Sequence, residues 1–522
     1  MALWQKFVFI VAGYWLVFII SQLPRCEHLK EYIGKKKQGK EQFKNCFRGR
    51  MRYFWVTLIL ITLCLAPLLT YFEKIPFFMD VEDAGMDWLM RTTQQNMPPA
   101  QIKNIPQFVW LDIDDETYKQ WGEPLFTPRD RLLKLIKGGV LAEARLIIVD
   151  IDLSRTISGN GNKLHLHDKD IVDYLGKYPI YCNSHPHCPP IILARRFAVL
   201  SGGIETQYRK VFPELEQVVE ESAYHIQWAA PLFSLSDDYV LRHWKVWQPF
   251  CVDGKPAVMA SIEVTAGVFL KKDTPQQVKK ILAEKLQPLQ PHACINDKIQ
   301  YSHNTPEQIK LGQWNFSTDR YSIPQRIRYS MPWSMEGKKT AEFLWKTRKG
   351  QTEGEFIILR RLPVQQFLEQ QNALQKGLKD SIVIIGGSYA EGRDHYQTPL
   401  GLMPGALVII NAVHSLLEYG IIKPISNLSK WLIVVILVVL MSIILLCVPF
   451  ILGQFFNLLV VLVMLLSSII LFRFGYWLDF TIPIVFAQLY QIIIFLSLFV
   501  YCLALSFWQW GYKKLRFFMD HA

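Results

Sequence analysis

Long apolar runs that carry no charge constrain this chain more than any other feature. Three of them follow one another near the C-terminus, at residues 431–450, 452–472 and 480–507, and a fourth covers residues 54–71. Each run is long enough to cross a hydrocarbon core about 30 Å thick as a helix. The connections between the last three runs are only a few residues long, so the sequence predicts an α-helical transmembrane bundle.

A shorter apolar stretch lies within residues 1–23. Its length fits a transmembrane helix, an interfacial helix or the core of a signal peptide. No A-x-A cleavage pattern follows it, which argues against a cleaved signal. We therefore predict a transmembrane or interfacial helix here.

The basic residues are concentrated beside the apolar runs. The net charge of the chain is +12, yet residues 73–430 contain 42 Lys/Arg and 40 Asp/Glu, whereas residues 1–72 contain 11 and 3. Because Lys and Arg favour the cytoplasmic side of a membrane, the basic segment 24–53 is predicted to be cytoplasmic. Contact with anionic membrane lipids explains the basic excess, and we expect no nucleic-acid partner.

These charges define one topology. The helix at 54–72 exports residues 73–430, and three helices within residues 431–510 return the chain, so that the basic tail 511–522 is cytoplasmic. We expect a multi-pass protein of the inner (plasma) membrane whose large domain lies outside the cytoplasm, in the periplasm.

Four of the nine cysteines lie in the exported section, where an oxidising compartment favours disulfides. They are Cys182, Cys188, Cys251 and Cys294. Three pairings are possible from four cysteines. We favour Cys182 with Cys188 and Cys251 with Cys294, because pairs close in sequence join easily, while the sequence leaves the other pairings open.

The segment CNSHPHC places His185 and His187 between two of these cysteines. Zinc takes nitrogen and sulfur ligands at such spacing, which makes these histidines weak metal candidates. A disulfide with two exposed histidines is the simpler interpretation. We expect no metal and no cofactor.

The exported section begins with a strand–helix–strand pattern. The apolar run at 108–113 is followed by a helix that Thr127 and Pro128 are expected to open as N-cap and first helical residue. A second apolar run follows at 146–151. Near-continuous apolar strands joined through a helix are typical of a mostly parallel sheet, so the predicted class of the exported domain is α/β.

Acidic side chains follow both strands. Asp112, Asp114 and Asp115 lie at the end of the first strand, and Asp150 and Asp152 lie at the end of the second. We expect the two strands to be neighbours, and the carboxyl edge of an open parallel sheet is where ligands bind. These carboxylates are candidates for binding an organic ligand or a hard cation such as Ca²⁺ or Mg²⁺.

An alternative stays open for the same carboxylates. They can cap helix N-termini or pair with Arg129 and Arg131 at the start of the predicted helix. Arg129 is for this reason also a candidate binding residue of the site.

A later strand, predicted at 381–385, runs into Gly386, Gly387 and Ser388, and a helix is expected at about 404–418. The backbone N–H groups of such a loop can bind an anion, so these three residues are candidate ligand contacts. A tight turn is the favoured interpretation, because the Walker lysine is missing. The sequence carries no hydrolase signature, so we expect no enzymatic activity.

Several of these residues also fit the sequence patterns of a known family. They are Asp87 and Arg91, residues 113–117, Pro128-Arg129, residues 149–151, Gly386 to Ser388, and residues 394–405. In this order they resemble the opening helix, IDD-x-S/T, P-R, FDI, glycine-turn and D-x-x-x-T-P-x-G-x-M-P-G elements of the CHASE2 family (cyclase/histidine-kinase-associated sensory extracellular domain, type two). The resemblance covers roughly residues 76–425.

The resemblance implies an extracytoplasmic sensor domain with one helix before it and three helices after it. Two features depart from the family pattern: Leu125-Phe126 lie near the position of an expected Trp, and only Asn411-Ala412 remain of an N/H-A-N helix start. Family members usually carry a cyclase or kinase output module. This chain ends fifteen residues after Phe507, so we expect no output domain.

The expected function follows from that architecture. We expect a sensor that forms a homo-oligomer and acts through an unidentified protein partner, which supplies the output. A structural subunit of a large membrane-embedded assembly is the alternative. A ligand- or metal-dependent enzyme ranks third.

Overall fold

The computed structural model describes most of the predicted exported section. With short gaps inside some ranges, the described residues are 76–93, 105–154, 166–199, 206–300, 306–317, 325–333, 341–426 and 450–478, with a few more between 428 and 440. The predicted segments 1–23, 24–53, 54–72 and 511–522 lie outside the described residues, as do residues 479–510 of the predicted bundle.

The described part of the chain contains both helices and strands. In chain order the helices are α1 Pro76–Thr93, α2 Asp115–Gln120, α3 Arg129–Leu141, α4 Leu166–Ser184, α5 Pro213–Glu221, α6 Ile262–Lys271, α7 Pro275–Leu286, α8 Val364–Glu369, α9 Gln371–Leu374, α10 Gly405–His414 and α11 Phe450–Arg473.

The strands form one large sheet and several two-stranded ribbons. In chain order the strands are β1 Phe108–Ile113, β2 Leu146–Val149, β3 Ile191–Ala194, β4 Phe197–Val199, β5 Thr206–Tyr208, β6 Ile226–Ala229, β7 Phe233–Leu235, β8 Leu241–Trp244, β9 Trp247–Val252, β10 Lys255–Ala260, β11 Ala293–Ile295, β12 Lys298–Gln300, β13 Gln308–Leu311, β14 Trp314–Ser317, β15 Ala341–Lys349, β16 Thr352–Pro363, β17 Ile382–Gly387, β18 His395–Thr398, β19 Gly401–Pro404, β20 Lys423–Pro424 and β21 Tyr476–Trp477.

The large sheet has the strand order β15-β16-β1-β17-β2-β3-β6. Its neighbouring strands pair in parallel, apart from the antiparallel edge pair β15–β16. The predicted α/β class with a mostly parallel sheet is confirmed. The expectation that β1 and β2 are neighbours is wrong, because β17, formed much later in the chain, lies between them.

Helices cover both faces of this sheet. The core on one face joins alternate residues of the strands to α3, α4, α5 and α8, while α6 packs on β2 and β3, and α10 on β17, at the other face. All six residues of β1 are buried. This explains the continuous apolar runs in the sequence, since a strand covered on both faces needs no alternation of polar side chains.

Some predicted boundaries differ from the structure. The helix expected to open at Thr127 begins at Arg129 as α3, and Pro128 precedes it without a side-chain cap. Strand β17 continues through Gly387, so the favoured tight turn does not begin at Gly386. The backbone of Gly386 and Gly387 pairs instead with Asp112 and Ile113 of β1, and this ladder extends the strand.

The chain forms two compact units. One comprises residues 87–424 and 471–477 and contains the large sheet, and the other comprises residues 1–86, 425–470 and 478–522. Among the residues that the structure describes, no helix meets the combined requirements of length, hydropathy and low charge for a membrane span.

Candidate functional site

The carboxyl ends of β1, β17 and β2 meet at one edge of the sheet. We call this place the carboxyl edge. Strand β17 inserts between β1 and β2, which precede it by more than 200 residues, and Asp112 of β1 lies opposite Gly386 of β17. Changes of strand order of this kind open a crevice at the carboxyl ends of parallel strands, where ligands bind in α/β folds.

Asp112 is the most deeply buried acidic side chain of this edge, with no exposed surface. Its Oδ2 accepts hydrogen bonds from Arg361 Nε at 2.6 Å and from Ser388 Oγ at 2.7 Å. Its Oδ1 has no hydrogen-bond partner among the residues that the structure describes. Burial raises the pKa of Asp112 to about 7, although the charge of Arg361 acts in the opposite direction. The carboxyl group therefore changes charge near neutral pH.

Arg361 is held by two indole rings as well as by carboxylates. Its guanidinium carbon lies 4.9 Å from the ring centre of Trp333 and 5.9 Å from that of Trp110. Its Nη2 is 3.8 Å from Asp114 Oδ2, and 14% of the side chain is exposed. Cation–π contacts of this type attract a guanidinium to the ring faces, so the two indoles and the carboxylates together hold Arg361 at the carboxyl edge.

A second ion-pair cluster lies on the β2 side of the same edge. Arg196 Nη2 lies 3.5 Å from Asp150 Oδ1 and 3.2 Å from Asp394 Oδ2. Burial raises the pKa of Asp150 to about 6, against the charge of Arg196, and the charge of Asp394 raises it further. The Arg196 side chain is 34% exposed, so this cluster is open to solvent on one side.

Glycines allow these two clusters to approach the sheet. A Cβ added to Gly386 would lie 2.8 Å from the Ala406 Cβ of α10 and 3.6 Å from Asp150 Oδ2. A Cβ added to Gly405 would lie 2.5 Å from Asp394 Oδ2. Gly386 therefore allows α10 to pack closely on β17, and Gly405 makes room for the carboxylate of Asp394.

The other predicted residues play different parts. Asp114 caps α2 by accepting a hydrogen bond from Thr117 N at 2.9 Å, and Asp115 accepts one from Ala390 N at 2.8 Å. The cap agrees with the alternative left open for the carboxylates. Asp114 still contributes to the carboxyl edge, because it faces Arg361 across the crevice.

Arg129 and Asp152 lie outside the two clusters. Arg129 Nε donates to Asp168 Oδ1 at 3.1 Å, and both side chains are buried. Asp152 accepts from Arg209 at 3.0 Å and from Ser154. Burial works to raise the pKa of Asp152, but these hydrogen bonds and charges lower it overall. The structure therefore brings together Asp112, Asp114, Asp150 and Gly386–Ser388. Arg129 and Asp152 instead contact each other, since Arg129 Nη2 donates to Asp152 O at 3.3 Å.

Sequence reasoning missed the two arginines and the indole of the site. Arg196 is the second residue after the end of β3, and the rule that selected Asp112 and Asp150 from their strand ends would have selected it as well. Arg361 and Trp333 lie in a region whose elements the sequence did not define. Only the pairing of β16 with β1 brings Arg361 to Asp112.

Two disulfides are present, Cys182–Cys188 and Cys251–Cys294, which is the favoured pairing. Atoms of Cys182, Cys188 and His225 lie within 4.8 Å of one another. Because both sulfurs are bonded in the disulfide, neither is a thiolate that could bind a metal. The weak candidate His185 stacks on Tyr181 and hydrogen-bonds to its carbonyl oxygen.

The fold is an α/β domain whose carboxyl edge lies at a change of strand order. A sequence model of the CHASE2 domain matches residues 56–446, more than half of the chain. The chain belongs to the CHASE2 family, a family of extracytoplasmic sensor domains. Neither the curated proteins nor the solved structures contain a match to it.

Proposed function

We propose that this CHASE2 protein is a multi-pass membrane sensor whose extracytoplasmic domain binds a small molecule at the carboxyl edge. It forms an oligomer and passes the signal to partner proteins. The domain recognises its ligand without chemical conversion.

One observation carries the ligand proposal. Asp112 is fully buried at a change of strand order, and one of its carboxylate oxygens has no hydrogen-bond partner within the described part of the chain. Leaving a buried polar atom unsatisfied costs about 1–3 kcal/mol, so such an atom is usually explained by water, an ion or a ligand. A ligand that donates a hydrogen bond to this oxygen removes that cost.

The charges of the edge favour a ligand with N–H donors. Four carboxylates face two guanidiniums there, and the residues are Asp112, Asp114, Asp150 and Asp394 against Arg196 and Arg361. The excess of acceptors favours an amine or amino acid over a simple carboxylate. The ring of Trp333 adds a surface on which an apolar part of the ligand can pack.

A thermal-shift screen of the full chain in detergent tests this proposal, using a panel of amines, amino acids, sugars and dicarboxylates. A compound present at 100 times its Kd stabilises the protein by about 2.7 kcal/mol, which corresponds to roughly 4 °C for a domain of this size. We expect an amine or amino acid to raise Tm in the wild type. Asp112→Asn should abolish that rise, because the substitution replaces one acceptor oxygen of the carboxyl group by an NH₂ donor.

Arg209→Gln is the matched control, because it breaks an arginine–aspartate pair outside the two clusters. It should keep the ligand-induced rise in Tm. If no compound stabilises the wild type and the protein forms a large closed ring in detergent, the recognition proposal fails in favour of a structural subunit.

Three observations support the membrane topology in the proposal. The domain contains two disulfides, which form in oxidising compartments. Helix α11 exposes large apolar side chains, among them Leu459, Leu462 and Leu466. The basic segment 24–53 fits the cytoplasmic side.

Labelling of intact cells with a membrane-impermeant thiol reagent tests the topology. After mild reduction, Cys188 should react from outside and Cys46 should react only after the cells are opened. Reaction of Cys46 in intact cells would overturn the proposed orientation.

A further inference from the structure

An irregular segment, residues 325–333, runs through the interior of the domain. Its first seven residues are at most 3% exposed, although none of them lies in a helix or a long strand. Buried backbone without regular structure needs hydrogen-bond partners from elsewhere. Tracing those partners shows that this segment contacts the candidate site and two helices at the limits of the domain.

At its C-terminal end the segment is part of the candidate site. The indole of Trp333 lies 4.9 Å from the guanidinium carbon of Arg361 and 5.6 Å from the ring of Trp110. Arg361 in turn binds Asp112. Any ligand that displaces Arg361 therefore also changes the support of Trp333.

In its middle the segment holds the end of α11. The Arg328 guanidinium lies between the rings of Tyr419 and Phe472, at 3.8 and 3.9 Å from their centres. It also donates a hydrogen bond to the carbonyl oxygen of Phe472. Phe472 belongs to the last turn of α11, and the following strand β21 pairs with β20 of the domain.

Near its start the segment holds α1. Arg326 Nη2 donates to Asp87 Oδ1 at 2.7 Å, and Arg242 of β8 binds the same carboxylate at 2.9 Å. All three side chains are at least nine-tenths buried. Breaking a buried pair of this kind is strongly destabilising, so the segment and this part of α1 are held together as one body.

Hydrogen bonds from α10 and the turn after it hold the backbone of the segment between these contacts. Asn411 of α10 accepts hydrogen bonds from Ser330 N and Met331 N, both at 3.0 Å, and donates to Met331 O at 3.0 Å. The Ser415 hydroxyl accepts a hydrogen bond from Arg328 N at 3.0 Å. From Arg328 to Trp333 the chain covers at most about 18 Å, and a displacement at one end is passed along a close-packed run.

We propose that residues 325–333 couple ligand occupancy at the carboxyl edge to the ends of α1 and α11. A displacement of Arg361 moves Trp333, which contacts it. The segment passes this movement to Arg326 and Arg328, and through them to Asp87 and Phe472. This inference deepens the proposed function and rests on it for the ligand, but the coupling itself is a property of the folded chain.

Hydrogen–deuterium exchange of the full chain in detergent tests the coupling without a ligand. Trp333→Ala removes the contact with Arg361 at one end of the segment. We expect amides of residues 471–477, far from the substitution in sequence, to exchange at least about fivefold faster, the lower limit of typical coupling energies. Arg361→Gln, which perturbs the same contact without deleting a ring, should have the same effect and serves if Trp333→Ala does not fold.

The reverse experiment uses the reciprocity of coupling. Arg328→Met removes the cation in the middle of the segment that contacts Phe472. Amides of residues 386–390 should then exchange faster, including Ser388 N, which donates a hydrogen bond to Ile113 O at 3.0 Å. For the first experiment, Trp333→Phe is the control for Trp333→Ala. It keeps a ring for stacking, so residues 471–477 should exchange as slowly as in the wild type. Arg209→Gln, at a pair outside the segment, should change neither region.

The outcomes separate this inference from the proposed function. Faster exchange confined to the neighbourhood of each substitution would overturn the coupling, whether or not a ligand is found. Long-range changes in both directions would support it even if every compound in the thermal-shift screen failed.

Discussion

The charge state of Asp112 provides the sharpest test of the candidate site. Burial raises its pKa from 3.8 to about 7. The folded protein therefore holds a proton that the unfolded chain has lost between about pH 4 and pH 7. The stabilising contribution of this group is fully present below pH 4 and is lost as the pH rises through 7.

The size of the effect follows from the shift. About three pKa units at 1.36 kcal/mol each give roughly 4 kcal/mol for this buried group. The unit that contains the sheet has about 345 residues, for which the unfolding entropy is near 0.7 kcal/mol/K, so 4 kcal/mol corresponds to about 6 °C in Tm. Asn at position 112 does not titrate and lacks this dependence.

Differential scanning fluorimetry of the full chain in detergent, from pH 4 to pH 8, measures the difference in Tm between Asp112→Asn and the wild type. We expect this difference to move by about 6 °C in favour of the variant as the pH rises. Other buried carboxyls with raised pKa, Asp150 and Glu263, are present in both proteins and cancel. Gly176→Ala neither adds nor removes a titratable group, so it serves as the control, and its difference from the wild type should stay constant. A constant difference for Asp112→Asn would refute the burial argument.

Four further variants test the packing and one disulfide. Gly386→Ala should lower Tm, since overpacking costs about 1–3 kcal/mol and the new Cβ would lie 2.8 Å from Ala406 of α10. Gly176→Ala inside α4 should raise Tm, because the new Cβ would lie 3.6 Å from its nearest neighbour. Ala is favoured over Gly in a helix by up to about 1 kcal/mol of unfolding free energy. Asp87→Asn removes the carboxylate charge shared by two buried guanidiniums, of which Arg242 keeps its second partner Asp238, and should cost about 3–5 kcal/mol in urea unfolding. Replacing Cys251 and Cys294 by serine opens a loop of 43 residues and should cost about 4 kcal/mol in the same assay; no loss would contradict the bond.

Much of the sheet could be predicted because its strands are buried on both faces. Apolar runs such as those at β1, β2 and β3 need no partner to be recognised, and their pattern alone indicated a parallel α/β sheet. The order of the strands could not be read in this way. Nothing local in the sequence says that β17, more than 200 residues downstream, inserts between β1 and β2.

The candidate site was predicted in part for the same reason. Acidic residues at strand ends mark the carboxyl edge, so Asp112 and Asp150 were found from position alone. Arg361 and Trp333 were not, because both come from the region between residues 271 and 375, where no periodic pattern defined elements. Their contact with Asp112 depends on the long-range pairing of β16 with β1.

Binding of a small molecule at the carboxyl edge of the domain predicts a local change in amide exchange. Hydrogen–deuterium exchange of the full chain, with and without the amine or amino acid that most raises Tm, measures this directly. We predict slower exchange of the amides at residues 112–118 and 386–390, and no such change in Asp112→Asn. Protection elsewhere with these two regions unchanged, or protection that persists in Asp112→Asn, would contradict the account.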